Sequence, residues 1–198
     1  QRSLRAALKD VDTVVHLAGG ERYGSRSDME AIDVEGSKIL AQACKQAGVR
    51  RIIYLSHLGA DRASAYTVFK AKAIAEHFLM SSGVSTTIIR SAVVFGPNDQ
   101  FTTSFVRLFR LSPFIFLIPG DGHNLLQPIW VEDLSTCIRL IIDDESSSNQ
   151  VFSIGGGEYL TLRDVLEDVM AASGHKRRIV SISPVVLRAL SVWFEQGL

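Results

Sequence analysis

The sequence is poor in cysteine and proline, lacks long apolar runs and carries no net charge. Its 198 residues include 2 cysteines and 5 prolines. Cys44 and Cys137 lie in helical, mostly apolar patterns without disulfide or zinc spacing, so we expect reduced core thiols and no metal site. The longest apolar run, Phe114–Ile118, is too short to span a bilayer. With 21 basic and 21 acidic residues, the chain has no basic footprint for nucleic acid.

Three β-branched stretches predict buried strands at Thr13–Ala18, Arg51–Ser56 and Thr86–Arg90. The first ends in Gly19 and Gly20, which either let the backbone approach a flat ligand closely or form an ordinary strand-to-helix turn. Helical patterns separate the strands. This alternation predicts right-handed βαβ units around a parallel sheet.

Two helices are predicted between these strands. The first covers Met29–Ala47, is capped by Ser27 or Asp28 and is stopped by Gly48. Its internal Gly36 indicates close packing. The second carries Tyr66 and Lys70 and ends at Gly83.

The second half of the chain has less regular patterns. Gly155–Gly157 is interpreted as a turn because no Gly-Lys-Ser/Thr follows it, and Thr161 is expected to cap the next helix. The predicted helices are Phe101–Leu111, Val131–Ile142, Leu162–Ala172 and Val185–Phe194, and the predicted strands are Phe114–Ile118, Leu125–Trp130, Gln150–Ile154 and Ile179–Ile182.

Tyr66 and Lys70 form a candidate catalytic pair. Residues four apart on a helix share a face, so the ammonium would lie beside the phenol. It would then lower the pKa of Tyr66 and make the phenol usable for proton transfer. Two solvated helix residues are the alternative, but the position just after the strand ending at Ser56 favours a site.

Several motifs together resemble the extended short-chain dehydrogenases/reductases, the NAD-dependent epimerase/dehydratase group. They occur in family order and cover almost the whole chain, which looks closest to the branch related to the 39-kDa accessory subunit of complex I. The motifs are Asp12–Gly20, Ile32–Ser37, Tyr66-x-x-x-Lys70, Arg90–Pro97, Gln127–Leu134 and Val151–Gly156.

The resemblance implies an α/β fold, a Rossmann-like parallel sheet flanked by helices. Residues 1–100 would be the C-terminal half of an NAD(P)-binding domain. Residues 101–198 would complete the sheet and form a smaller lobe on the substrate side, over the carboxyl ends of the strands.

The resemblance also implies site residues for NAD or NADP. Tyr66 would be the catalytic acid/base, and Lys70 would hold the ribose hydroxyls and poise Tyr66. The remaining cofactor contacts, carried over by position, would be Leu17, Ala18 and Gly19 at the centre of the cofactor and Ser56, Ser91 and Val93 near the nicotinamide.

The sequence departs from the family pattern at three points. The Gly-x-x-Gly-x-x-Gly loop and the first strands do not occur, so we expect a fragment of a longer protein that binds NAD(P) weakly by itself. Asp33 replaces the family's Asn in the helix motif. Leu58 stands about where a substrate-binding Ser or Thr is expected.

Two histidines lie near these motifs. His16 is interpreted as a partnered packing residue because its strand is apolar. His57, at a strand end, either packs there or replaces the hydroxyl missing at position 58.

Two functions remain open. The first is an NAD(P)-dependent oxidoreductase, epimerase or dehydratase acting on a small carbonyl or sugar-like substrate, as Tyr66 and Lys70 favour. The second is a non-catalytic NAD(P)H-binding accessory protein, as Leu58 and Asp33 favour. We expect a cytoplasmic protein, either a homodimer or peripheral to a larger membrane complex.

Overall fold

Four strands form a parallel sheet. The computed structural model describes residues 2–20, 26–112 and 114–183. In their order across the sheet, the strands are β1 (Thr13–His16), β2 (Arg51–His57), β3 (Ser85–Ser91) and β8 (Val151–Ile154). The three predicted parallel strands are confirmed, and the predicted strand near residues 150–154 joins them as the fourth. Register places His16 beside Tyr54 and Ser56 beside Arg90.

A helical run separates β1 from β2. It consists of α2 (Arg26–Met29), a π-helical segment (Glu30–Glu35) and α3 (Gly36–Ala47). Gly48 ends it with φ 75°, as predicted. Two predictions are wrong. Ser27 and Asp28 lie inside the helical run and therefore do not cap it. A Cβ at Gly36 would meet only the Ala31 carbonyl oxygen, at an ordinary 3.5 Å, so its packing is not close.

The helix after β2, α4, covers Thr67–Met80 and so stops short of Gly83. Tyr66 precedes it with extended backbone angles, φ −86° and ψ 121°, and its carbonyl accepts the Lys70 amide at 3.1 Å. The Tyr66 side chain is therefore attached one residue before the first residue of α4. Tyr66 is thus the N-cap residue of α4 and not a residue within it, and the side-by-side placement of the phenol and the Lys70 ammonium stays a prediction.

Apolar residues from one sheet face pack against α3, α4 and the short α1 (Arg2–Ala7). On the other face, the buried Arg51 donates to the Thr87 hydroxyl at 2.9 Å, the Asp144 carbonyl at 3.1 Å and the Ser147 hydroxyl. Arg51 thereby joins β2 and β3 to the 3-10 turn before β8. Fully buried members of the first core include Cys44, Ile52, Tyr54, Ala75, Leu79 and Ile88.

The remaining described elements are β4 (Val94–Phe95), α5 (Gln100–Leu111), β5 (Ile115–Pro119), β6 (Leu125–Leu126), β7 (Ile129–Trp130), α6 (Val131–Asp143), the 3-10 turn (Glu145–Ser147), β9 (Leu160–Thr161), α7 (Leu162–Ser173) and β10 (Arg178–Ile182). Among them a parallel pair, β5 and β10, packs with α5 and α7 around Phe109, Phe116 and Leu166, which form a second core.

One predicted strand, Leu125–Trp130, is wrong as a single element. β6 pairs antiparallel with β9, whereas β7 pairs parallel with β4. Pro128 has no amide hydrogen to continue a ladder. The preceding Gln127 bonds Gly156 through both its carbonyl and its side-chain amide. The predicted turn near Gly155–Gly157 is therefore built on a close backbone approach.

The second-half helices otherwise follow their predictions. Thr161 and Asp164 form the predicted capping box of α7. The predicted helix Val185–Phe194 lies outside the described residues. None of the described helices is long and apolar enough to cross a membrane.

The described residues within 1–92 and 132–155 form one compact unit, unit 1, and those within 93–131 and 156–183 form another, unit 2. The predicted boundary near residue 100 differs from this division. The reason is that α6 and β8 return to the first sheet.

Candidate nucleotide-binding site

The carboxyl ends of β1, β2 and β3 meet at one edge of the sheet because the strands are parallel. Leu17, Ala18 and Gly19 follow β1 directly, and the side chain of Leu17 is 57% exposed. Ser56 and Ser91 are buried at the ends of β2 and β3. Val93 is the first residue of unit 2, and its predicted contact with the cofactor stays a prediction.

The hydroxyls of Ser56 and Ser91 are both engaged within the protein. Ser56 Oγ donates to Glu76 Oε1 at 2.5 Å, and Ser91 Oγ donates to the Ser56 carbonyl at 3.4 Å. The buried Glu76 carboxylate also accepts hydrogen bonds from Arg90 Nε at 3.0 Å and from Arg90 Nη2 at 2.6 Å. Glu76 on α4 therefore fixes the ends of both central strands.

A buried ion pair lies at the end of β1. Lys72 Nζ is 3.0 Å from Asp33 Oδ1, with side chains 10% and 1% exposed. The other Asp33 oxygen accepts the Gly20 amide at 2.8 Å. A Cβ at Gly19 would lie 3.1 Å from Lys72 Nζ, so glycine lets the ammonium approach the chain at this point.

Sequence reasoning chose Lys70 and missed Lys72. Lys70 is exposed and Lys72, two residues later on a different face of α4, is buried. The cofactor contact of Lys70 stays a prediction. A usable signal was present, because Lys72 precedes Glu76 by four residues and the small Ala71, Ala73 and Ala75 surround it in sequence. Ala71, Lys72, Ala73, Ala75 and Glu76 are all buried.

Aromatic rings cover this ion pair. Lys72 Nζ lies 5.2 Å from the centre of the Tyr54 ring, and the His16 ring stacks on Tyr54 at 5.2 Å and 27°. His16 Nε2 is 3.1 Å from Ser37 Oγ. The interpretation of His16 as a partnered packing residue is confirmed. Burial, and then the charges of Asp33 and Glu76, raise the pKa of Tyr54, which keeps its phenol protonated.

The pKa of His16 is lowered to about 4, by burial first and then by the charge of Lys72, while Asp33 opposes both. An unfolded His has a pKa near 6.5 and so binds more protons than the folded one between these values. Stability should therefore fall as the pH falls. We expect His16 to contribute a loss of about 2 kcal/mol in unfolding free energy between about pH 7 and pH 5.

Urea unfolding at both pH values checks this result. His16→Gln keeps a polar partner for Ser37 and should reduce the pH-dependent loss by that amount. The exposed His77→Gln serves as the matched control and should leave the loss unchanged. An equal pH dependence in His16→Gln and the original protein would contradict the prediction.

Tyr66 belongs to a separate aromatic group at the end of β2. Its ring contacts Phe69 edge-on at 5.7 Å, and Phe69 lies 4.7 Å from the His57 ring. His57 Nδ1 accepts the Gly59 amide at 3.2 Å. The Tyr66 side chain is 66% exposed and that of Leu58 40%.

The residues at the end of β1 fit a dinucleotide. An ammonium has three donors, and the ion pair with Asp33 leaves capacity for the hydroxyls of a ribose. The exposed Leu17 and Ala18 offer an apolar surface beside it. Gly19 keeps the intervening space free of a side chain.

Comparisons with known proteins identify the family and the fold. Residues 1–108 match the family described as NAD(P)H-binding. The chain is 31% identical, over 156 residues, to NADH dehydrogenase [ubiquinone] 1 alpha subcomplex subunit 9, mitochondrial, of Mus musculus, covering 78% of this chain and 41% of that protein. It is 24% identical, over 191 residues, to the NADH-ubiquinone oxidoreductase 40 kDa subunit, mitochondrial, of Neurospora crassa, covering 96% and 49%. The chain thus spans less than half the length of these two relatives.

The fold recurs in DesIV (dTDP-glucose 4,6-dehydratase) from Streptomyces venezuelae, a structure with NAD and TYD bound. The TM-score is 0.75 at 22% identity, with 91% of this chain and 64% of that one covered. At this identity the likeness concerns the fold. The family match, which covers more than half of the sequence, shows that the chain belongs to the NAD(P)H-binding family.

Proposed function

We propose that unit 1 holds NAD(P)H at the carboxyl end of β1, with Lys72 in the position that the resemblance gave to Lys70. The buried Lys72–Asp33 pair beside Gly19 is the observation that carries this proposal. Lys72 would donate to the ribose hydroxyls, while Leu17 and Ala18 would cover the cofactor's central part. When bound, the nicotinamide ring supplies a hydride donor or acceptor.

We further propose that binding, without turnover, is the role of this site. The residue one helical turn before Lys72 is Val68, whose side chain can transfer no proton. Tyr66 lies before α4 and contacts Phe69. Leu58 offers no hydroxyl to a substrate. These residues favour a role in which the bound nucleotide stabilises the protein and no turnover occurs.

NADH fluorescence titration tests the assignment. Lys72→Gln should weaken binding about tenfold, since a charge-assisted hydrogen bond is lost, while Lys70→Gln should leave affinity unchanged. Asp33→Asn/Lys72→Gln removes both buried charges and gives a folded variant if the single one unfolds. Equal affinities for the Lys70 and Lys72 variants would refute the role of Lys72.

A second candidate is an oxidoreductase, epimerase or dehydratase acting on a small carbonyl or sugar-like substrate. The aromatic group of Tyr66, Phe69 and His57 favours it, because it places two proton-transferring side chains near the end of β2. Tyr66→Phe would then lower the rate of hydride transfer by about 10²–10⁴-fold, whereas under the binding proposal this substitution has no measurable effect. Assaying the original protein and the Tyr66→Phe variant with a panel of carbonyl substrates distinguishes the enzyme from the binding protein.

We also propose an accessory role in a larger complex, peripheral to a membrane, on the basis of the named subunits to which the chain is similar. A cytoplasmic homodimer is the alternative. Co-purification of tagged full-length protein from its own cells, followed by size-exclusion chromatography, distinguishes a large assembly from a dimer.

A further inference from the structure

One end of unit 2 exposes large apolar side chains. It is the end where α5 finishes and where β5 and β10 begin. Leu111 is 79% exposed and Phe114 is 81% exposed, and Leu108, Ile115 and Leu117 are also exposed. These five residues and the exposed basic residues Arg107, Arg110, Lys176 and Arg178 are together called the basic–apolar end.

The basic residues at this end are exposed and have no acidic neighbours in sequence. Residues 100–120 and 174–183 contain no Asp or Glu. The exposed basic residues are Arg107, Arg110, Lys176 and Arg178. None of these four side chains forms an ion pair with another described residue.

Hydrogen bonds bring the two stretches together. The Arg178 amide donates to the Phe114 carbonyl at 3.1 Å, and Arg178 pairs with Ile115 in the β5–β10 register. Arg177 Nε donates to the Phe109 carbonyl at 3.2 Å. The cations and the apolar side chains therefore belong to one end of this unit.

Described acidic residues lie elsewhere in unit 2. Asp121 follows the far end of β5, and the Arg163 amide at the start of α7 donates to the Gly122 carbonyl at 3.1 Å. The capping Asp164 is therefore near that far end too. Glu167 and Asp168 occupy the middle of α7. Charge is thus segregated along the unit, with cations grouped around the exposed Leu111 and Phe114.

We propose that the basic–apolar end docks on an anionic lipid surface. Exposed apolar side chains beside cations that form no ion pair with a described residue match a peripheral contact, in which Phe and Leu enter the interface and Arg binds phosphate headgroups. A second copy of the chain in a two-fold contact would bring like charges together, which opposes self-association here. Charge complementarity therefore favours lipid.

Co-sedimentation of residues 1–198 with vesicles tests the proposal. We expect binding to phosphatidylcholine vesicles that contain about 30% phosphatidylserine, release at about 0.5 M salt, and no binding to phosphatidylcholine alone. Phe114→Ser should weaken binding about tenfold, and Arg110→Gln about fivefold. Two far-end variants are the matched controls and should bind normally: Leu125→Ser at an exposed residue and Arg163→Gln at a half-buried one.

Several outcomes would overturn the proposal. They are equal binding to neutral and anionic vesicles, equal loss in the far-end controls, and no binding at all. A stable dimer abolished by Phe114→Ser, or saturable binding of an acidic protein that vesicles fail to displace, would assign this end to a protein contact. If Phe114→Ser lowers the melting temperature and the original protein does not bind vesicles, another part of the chain covers the basic–apolar end.

Discussion

Replacing Lys72 by Met is expected to lower the free energy of unfolding by roughly 3–5 kcal/mol, because the Asp33 carboxylate is left buried without its cation. Asp33 is 1% exposed, so water offers little compensation. The neighbouring Lys70→Met should change stability by no more than about 0.5 kcal/mol, since that ammonium is exposed. Urea denaturation measures both.

The double variant Asp33→Asn/Lys72→Met removes both charges and keeps an acceptor for the Gly20 amide. It should recover most of the loss, because the penalty comes from one unpaired buried charge. If the double variant is as unstable as the sum of the single ones, or if Lys70→Met is as damaging as Lys72→Met, the pair does not act as described.

Glu76→Ala is expected to cost roughly 3 kcal/mol, since it strips the Ser56 hydroxyl and the Arg90 guanidinium of their acceptor together. Arg90 is 34% exposed and regains some water, which keeps the loss below that of a fully buried pair. Thermal or urea unfolding measures it.

Glu35→Ala provides the control, because Glu35 is exposed and pairs with Lys38 at 3.6 Å. That surface pair should contribute less than about 1 kcal/mol. Similar losses at Glu35 and Glu76 would mean that the buried network adds nothing beyond an ordinary surface contact.

The parallel strands were predictable because their apolar, β-branched residues are continuous and local. The fourth position in the sheet was harder to assign. The partners of Arg51 are not suggested by sequence spacing: Thr87 lies in β3, and Asp144 and Ser147 belong to the 3-10 turn before β8. Long-range polar contacts of this kind leave no periodic signal.

The site residues were predicted at the carboxyl ends of the strands, and the buried Asp33–Lys72 pair was not among them. A motif spacing fixes which residues share a face only if both lie inside the helix, and Tyr66 lies just outside α4. The Asp33–Lys72 pair depends on the helical run after β1 meeting α4, which no local pattern reports. The substitution of Asn by Asp33 was visible in the sequence, whereas its ionic partner was not.

The discontinuity of unit 1 has a kinetic consequence. Ile88 in β3 pairs with Val151 in β8, and residues 93–131 of unit 2 are made in between. A ribosome adding about 5–20 residues per second leaves the β3 edge unpaired for several seconds. During that interval the edge, whose Ile88 and Ile89 are fully buried in the finished fold, is open to other chains. The rate of translation through residues 93–150 therefore bears on the yield of folded protein.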